Sequence, residues 1–216
     1  IQDYFGPIKA GEEVTRDYPK EEPITEEIHA EFYDPNIQIP MAITGYRTPE
    51  FGNKDSYVLN MISTYLSDGK SSKLYKKLVD EQNIALQVGA FNLEQEDYGM
   101  YLIYALPQGE TSLDSINTEI EDEITKLRNE LISESDFEKL QNKAENSYVN
   151  SNSSIAGIAN SLARNYLLYK DTSLINEEID IYRNITREDI KEVANKYLKP
   201  NQRVIIDYLP EEKEAE

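Results

Sequence analysis

Apolar residues in this chain switch repeatedly between a period of two and helical spacing, and that switching constrains the fold more than any motif does. From Glu27 to Tyr33 the period is two: Ile28, Ala30 and Phe32 point one way, and Glu27, His29, Glu31 and Tyr33 the other. This is the pattern of a half-buried strand. Asp34-Pro35-Asn36 makes a turn. Ile37, Ile39, Met41 and Ile43 then alternate through a second strand, where Pro40 favours an edge position or a bulge. Helical spacing follows, with Val58, Met61, Ile62, Tyr65 and Leu66 on one stripe. Gly69 ends that helix, and a shorter one is predicted from about Ser71 to Glu81. Residues 84–93 and 98–106 read as two strands, joined as a hairpin by the polar turn EQEDYG.

A long helical stretch comes next. Leu113, Ile116, Ile120, Ile124, Leu127 and Leu131 form a continuous stripe, and Ser133 with Asp136 resembles a capping arrangement opening the next helix, which carries Phe137, Leu140, Ala144 and Tyr148. The run NSNSS at 150–154 interrupts the pattern, and Ile155, Ile158, Ala159, Leu162 and Tyr166 resume it. A short helix is predicted near 174–183, then one opened by Thr186 and Asp189, carrying Ile190, Val193, Ala194, Tyr197 and Leu198 and stopped by Pro200. Val204–Tyr208 is a last strand. Strands come in hairpin-like pairs rather than singly between helices. The expected class is therefore α+β, a mostly antiparallel sheet with helices packed on one face.

The organisation is read as residues 1–22, the end of a preceding domain and a linker; residues 23–210, a single α+β domain; and residues 211–216, a disordered acidic tail. Ile1–Phe5 has the look of a helix end, with Gly6 as cap and Pro7 barring continuation, so the chain is expected to be a piece of a longer one. The net charge of −19 argues against a nucleic-acid partner, which needs a basic surface. It is compatible with basic peptides or with solubility alone. The absence of cysteine excludes disulfides and thiolate metal sites, and no run approaches the roughly eighteen apolar residues of a membrane span.

Gly69-Lys70-Ser71 resembles the end of a phosphate-binding loop. That loop needs a second glycine at position 64, where Thr64 stands, and it follows a strand rather than an amphipathic helix. The glycine and serine read better as two helix caps. The single histidine, His29, falls on the polar parity of its strand and is expected to face solvent. A zinc site of the HxxEH type needs two histidines a helical turn apart. A nucleophile–His–acid arrangement would have to use His29, which no nucleophile-elbow sequence accompanies. Glu119, Glu121, Asp122 and Glu123 read as a solvated helix face, and no carboxylate pair stands out among 41 acidic residues. The 16 tyrosines form no basic-aromatic stripe of the kind that stacks bases.

Four stretches taken together carry a family resemblance: YFGPI at 4–8, LSDGKSSKLYKKLVDEQNIALQV at 66–88, ISESDFEKLQNKAENSY at 132–148, and ITREDIKEVANKYLKPNQRVIIDYLP at 185–210. In order and spacing they resemble the C-terminal, non-metal-binding domain of bacterial pitrilysin/insulinase-type zinc peptidases, in the two-domain, processing-peptidase-like style. The resemblance implies a mitochondrial-processing-peptidase-like fold and a parent of two similar domains. Zinc would then sit on HxxEH in the parent's N-terminal domain, and both domains would enclose a chamber where peptides are cut. In active relatives the second domain often supplies an Arg and, seven positions later, a Tyr that polarise the substrate carbonyl. Aligned through Leu78, those positions are Val79 and Leu86, neither of which can donate a hydrogen bond to an oxyanion.

The resemblance therefore implies no catalytic, metal or cofactor-binding residue in this chain. Its expected role is to close the peptide chamber and support assembly, with the N-terminal domain as partner and a homologous subunit as a possible source of the Arg/Tyr pair. A periplasmic or envelope setting is implied in the same way. The rival expectation is an assembly subunit of the same fold with no proteolysis in the parent.

Overall fold

The computed structural model describes residues 2–9, 11, 12, 19 and 21–211. Much of the predicted linker at 10–20, and the tail from 212 on, lies outside the described residues. Among the described residues five strands form one sheet in the order β1-β5-β2-β4-β3. They are β1 (Ile28–Asp34), β2 (Met41–Thr48), β3 (Ala85–Leu93), β4 (Gly99–Pro107) and β5 (Arg203–Pro210). β1 runs parallel to β5, and the other neighbours are antiparallel. The expected α+β class and the mostly antiparallel sheet hold.

The helices are α1 (Gln2–Phe5), α2 (Lys54–Ser67), α3 (Leu113–Asn129), α4 (Glu134–Ser151), α5 (Ile155–Tyr169), α6 (Leu174–Asn184) and α7 (Arg187–Tyr197), with a π-helix at Tyr75–Glu81. α2, α3 and α7 lie directly on the sheet, and α4, α5 and α6 pack beside and outside them. The core joins Leu59, Ile62 and Leu66 of α2, Ile116, Ile120 and Ile124 of α3, and Ile190, Val193 and Ala194 of α7 to Tyr46, Tyr101, Ile103 and Ala105 of the sheet. Helical spacing predicted these stripes because burying one face of an amphipathic helix is what stabilises it.

Local chemistry sets the helix starts. Ser133 accepts from the Asp136 N–H at 3.1 Å. Thr186 and Asp189 form a full capping box, with Thr186 Oγ1 accepting from the Asp189 N–H at 3.1 Å and Asp189 Oδ2 accepting from the Thr186 N–H at 2.7 Å. Removing one half leaves first-turn N–H groups unsatisfied. Thr186→Ala is expected to lower stability by about 1 kcal/mol in urea unfolding, and Thr186→Ser to lose less than half of that.

Several expectations need correction. β1 and β2 are not a hairpin, because β5 inserts between them. β1 is not half-buried: all but Asp34 of its residues are exposed. Its register with β5 puts His29 beside Ile205 on the helix side, and Ile28, Ala30 and Phe32 on the opposite face. As an edge strand it extends past the helix layer, so its polar parity has nothing to pack against. The second strand starts at Met41 and is central, leaving Ile37, Ile39 and Pro40 ahead of it. Its buried parity is Ala42, Thr44, Tyr46 and Thr48 rather than that of Met41 and Ile43. Gly69 does take positive φ, at 83°. The hydroxyl that closes the turn is that of Ser72, however, donating to the Gly69 carbonyl at 2.7 Å. Ser71 instead accepts from Lys139. The Ile155 stripe on α5 faces outward, with Ile155, Ile158, Tyr166 and Leu167 exposed, while Asn165 is the buried residue of that helix.

Candidate functional site

The sheet face away from the helices is apolar. Strand register puts Ile43 of β2 beside Tyr104 of β4 and Ile206 of β5, and Gly45 beside Leu102 and Val204. Each of these residues alternates with a core residue such as Tyr46, Ile103 or Ile205, so it points the other way. Gly45 brings no side chain to this surface, and a Cβ there would stand 3.2 Å from Leu102 Cδ2. Ile43, Gly45, Leu102, Val204 and Ile206, together with Ile24 from the segment before β1, line a hollow of about 310 Å³.

Arg47 forms the rim. Its guanidinium meets Glu21 Oε2 at 2.8 Å, donates to the Glu22 carbonyl at 3.0 Å, and lies 4.6 Å from the centroid of the Tyr98 ring. These contacts hold residues 21–24 along the hollow. On one side, Tyr104 lies across Gly89, where a Cβ would collide with the ring, and meets Phe91 edge-on at 6.1 Å. On the other side, Phe32 stacks on Tyr208 at 5.4 Å. The face offers apolar and aromatic surface with one guanidinium at its rim. That surface is suited to apolar contact.

Val79 and Leu86 sit on irregular backbone, 79 in the π-helix and 86 at the β3 edge. The Ile84 N–H reaches back to the Leu78 carbonyl at 2.9 Å, and Asn83 takes φ 53°. Val79 is partly buried against the core. Leu86 is 51% exposed, at the point where the register of β3 with β4 shifts between Ala85 and Gln87. π-turns and bulges redirect side chains and recur at functional sites, but here they present two alkyl groups. Lys77 ties the π-helix to α3, with Nζ at 2.7 Å from Glu119 and 3.2 Å from Glu123. Its pKa is raised because those two carboxylates outweigh the burial that would lower it. The lysine bond in turn lowers that of Glu119.

The expected solvated face on α3 is thus corrected. Glu119 and Glu123 hold Lys77, and Glu121 receives Arg128 at 2.9 Å as well as Arg203 of β5. α3 lies between the π-helix and β5, so its acidic side chains reach cations that are distant in sequence. Lys70 is exposed in the helix connection. His29 is half exposed, with Nε2 3.1 Å from Asp207 Oδ2. The chain has one histidine and no cysteine, and among the described residues no three His, Asp or Glu side chains converge on a metal-sized site. Among the same residues no helix is long and apolar enough to cross a membrane.

The open face went unread in the sequence although a signal for it exists. Tyr101–Leu106 is apolar on both parities, which is the pattern of a strand covered on two sides. The hollow itself depends on Gly45 meeting Leu102 and Val204, pairings that only the register supplies.

Residues 1–144 match the sequence profile of a family described as the peptidase M16 inactive domain. The zinc protease PqqE of Helicobacter pylori is 25% identical over 174 residues, a match covering 81% of this chain and 39% of PqqE. The crystal structure of a protease from Helicobacter pylori superposes with a TM-score of 0.87 at 23% identity, covering 96% of this chain and 50% of that one. The inactive peptidase domain of a putative zinc protease from Bordetella parapertussis superposes at 0.73, also at 23% identity, covering 82% of this chain and 94% of that domain. At that identity the structural likeness is one of fold. The chain spans well under half the length of the curated relative it matches.

Proposed function

Since the chain belongs to the peptidase M16 inactive-domain family, we propose that it is the non-catalytic half of a zinc-dependent endopeptidase and closes the peptide chamber over a zinc-bearing N-terminal half. The observation that carries this reading is the open sheet face. An apolar surface with a hollow of about 310 Å³ at its centre is costly to leave in water. A second domain covering it would enclose a cleft between the two. Residues 21–24, held along that face by Arg47, lead from the side on which the other half would join.

The proposal gives Val79 and Leu86 no chemical role. Neither can stabilise an oxyanion, so the Arg/Tyr function would come from a homologous partner subunit. In this reading zinc sits in the other half, and this chain brings it no histidine pair and no cysteine. A location in the bacterial envelope accompanies this reading. The purified chain is expected to bind no zinc in equilibrium dialysis and to leave unfolded peptides uncut. Chelator-sensitive cleavage by this chain alone would overturn the proposal.

A further inference from the structure

A second hollow lies within the helical layer, remote from the open sheet face and independent of the proposal above. α2, α4, α5 and α6 surround it together with Glu94, just beyond β3, and its volume is about 310 Å³. Its lining is polar, which is unusual for space between packed amphipathic helices.

Two opposite charges line this cavity without meeting. Glu178 comes from α6 and Arg164 from α5. Among the described residues neither side chain closes an ion pair or a hydrogen bond. They do sense each other: burial raises the Glu178 pKa, the Arg164 charge pulls it back, and the Glu94 charge pushes it up. A partly desolvated carboxylate whose neighbouring guanidinium closes no ion pair with it is unfavourable unless something else supplies the contact.

A third polar side chain opens into the same space. Asn165 is 8% exposed and lines the cavity, and among the described residues its side chain makes no hydrogen bond. Glu94, by contrast, is held by Asn60 Nδ2 at 3.2 Å. Tyr57 and Tyr182 provide an aromatic wall, their rings edge-to-face at 5.2 Å.

We propose that this cavity binds a free α-amino acid as its zwitterion, with the ammonium on Glu178 and Asn165, the carboxylate on Arg164 and the side chain against Tyr57 and Tyr182. An amine alone would leave Arg164 unpaired, and a carboxylate alone would leave Glu178 unpaired. A zwitterion satisfies both. The volume lies at the lower end of the range for small-ligand pockets, as suits a single residue.

The test is calorimetric titration of the full chain with each of the twenty L-amino acids. The best ligand is then compared with its own amide and its N-acetyl derivative, which imitate the two ends of a peptide. At least one amino acid is expected to bind, and each single-charge derivative to bind at least tenfold more weakly. Arg164 is exposed, so Arg164→Gln is expected to fold normally and to weaken binding at least tenfold; Glu178→Gln should do the same. Three outcomes would overturn the proposal: no amino acid binding, the amide binding as tightly as the amino acid, or Arg164→Gln leaving affinity unchanged. The comparison of ligand derivatives uses the unmodified protein and so does not depend on any variant folding.

Discussion

Tyr101→Ala is expected to lower stability by about 3–5 kcal/mol, while Tyr101→Phe leaves it within about 1 kcal/mol. Tyr101 stands on β4, completely buried beneath the helices. Truncating it removes an aromatic ring from the middle of the core and leaves a cavity. Its hydroxyl has no hydrogen-bond partner among the described residues, and Ser63 nearby donates its own proton to the Leu59 carbonyl at 3.0 Å. Deleting the hydroxyl therefore removes a desolvated, unpaired group rather than a bond. Burial pushes the Tyr101 phenol pKa up and that of Tyr46 to about 12. Above pH 10 the unfolded phenols lose protons that the folded ones keep, so stability present below pH 10 declines as pH rises toward 12. Urea midpoints measured from pH 8 to 11 should show that decline, and Tyr101→Phe should blunt it.

Leu102→Glu and Ile43→Glu address the open face. Both positions are only partly buried in this chain, so a carboxylate there can still reach water. Unfolding of the isolated chain should change by no more than about 1 kcal/mol, the span of strand propensities. Covering the same face with a second domain would strip that carboxylate of water while Arg47, the cation at the rim, is already paired with Glu21, at a cost of about 3 kcal/mol or more. Association with the zinc-bearing half should weaken at least a hundredfold. Arg47→Ala should have a smaller effect, because it loosens the segment at 21–24 without burying a charge.

What could be read from the sequence follows the range of the interactions. The helix caps at Ser133 and Thr186, the α3 stripe and the β3–β4 hairpin depend on residues close along the chain, and they were legible. The insertion of β5 between β1 and β2 depends on pairing Ile28 with Val204, and no local pattern encodes it. Parity alone assigned Ile28, Ala30 and Phe32 to a buried face, although an edge strand reaching beyond the helices buries neither side. The π-helix was unreadable for another reason: Leu78 is buried as it would be in an α-helix, and period does not distinguish the two over so short a stretch. The Ile155 stripe showed that α5 is amphipathic, but not which way it faces.

The site divides in the same way. Apolar character on both parities of β4 was present in the sequence, but the hollow required register. The polar cavity required four helices to converge, so its unpaired Glu178 and Arg164 were two unremarked charges among 63 charged residues.

The central claim is that this chain completes a peptidase without performing its chemistry. It is tested most directly by preparing this chain and the zinc-bearing half separately, mixing them in the presence of the homologous subunit that would supply the Arg/Tyr pair, and following cleavage of an unfolded peptide. The account predicts that neither half cuts alone, that the mixture cuts and a chelator stops it, and that the Leu102→Glu chain fails to restore cleavage. Full activity of the zinc-bearing half by itself, or equal restoration by wild-type and Leu102→Glu chains, would contradict it.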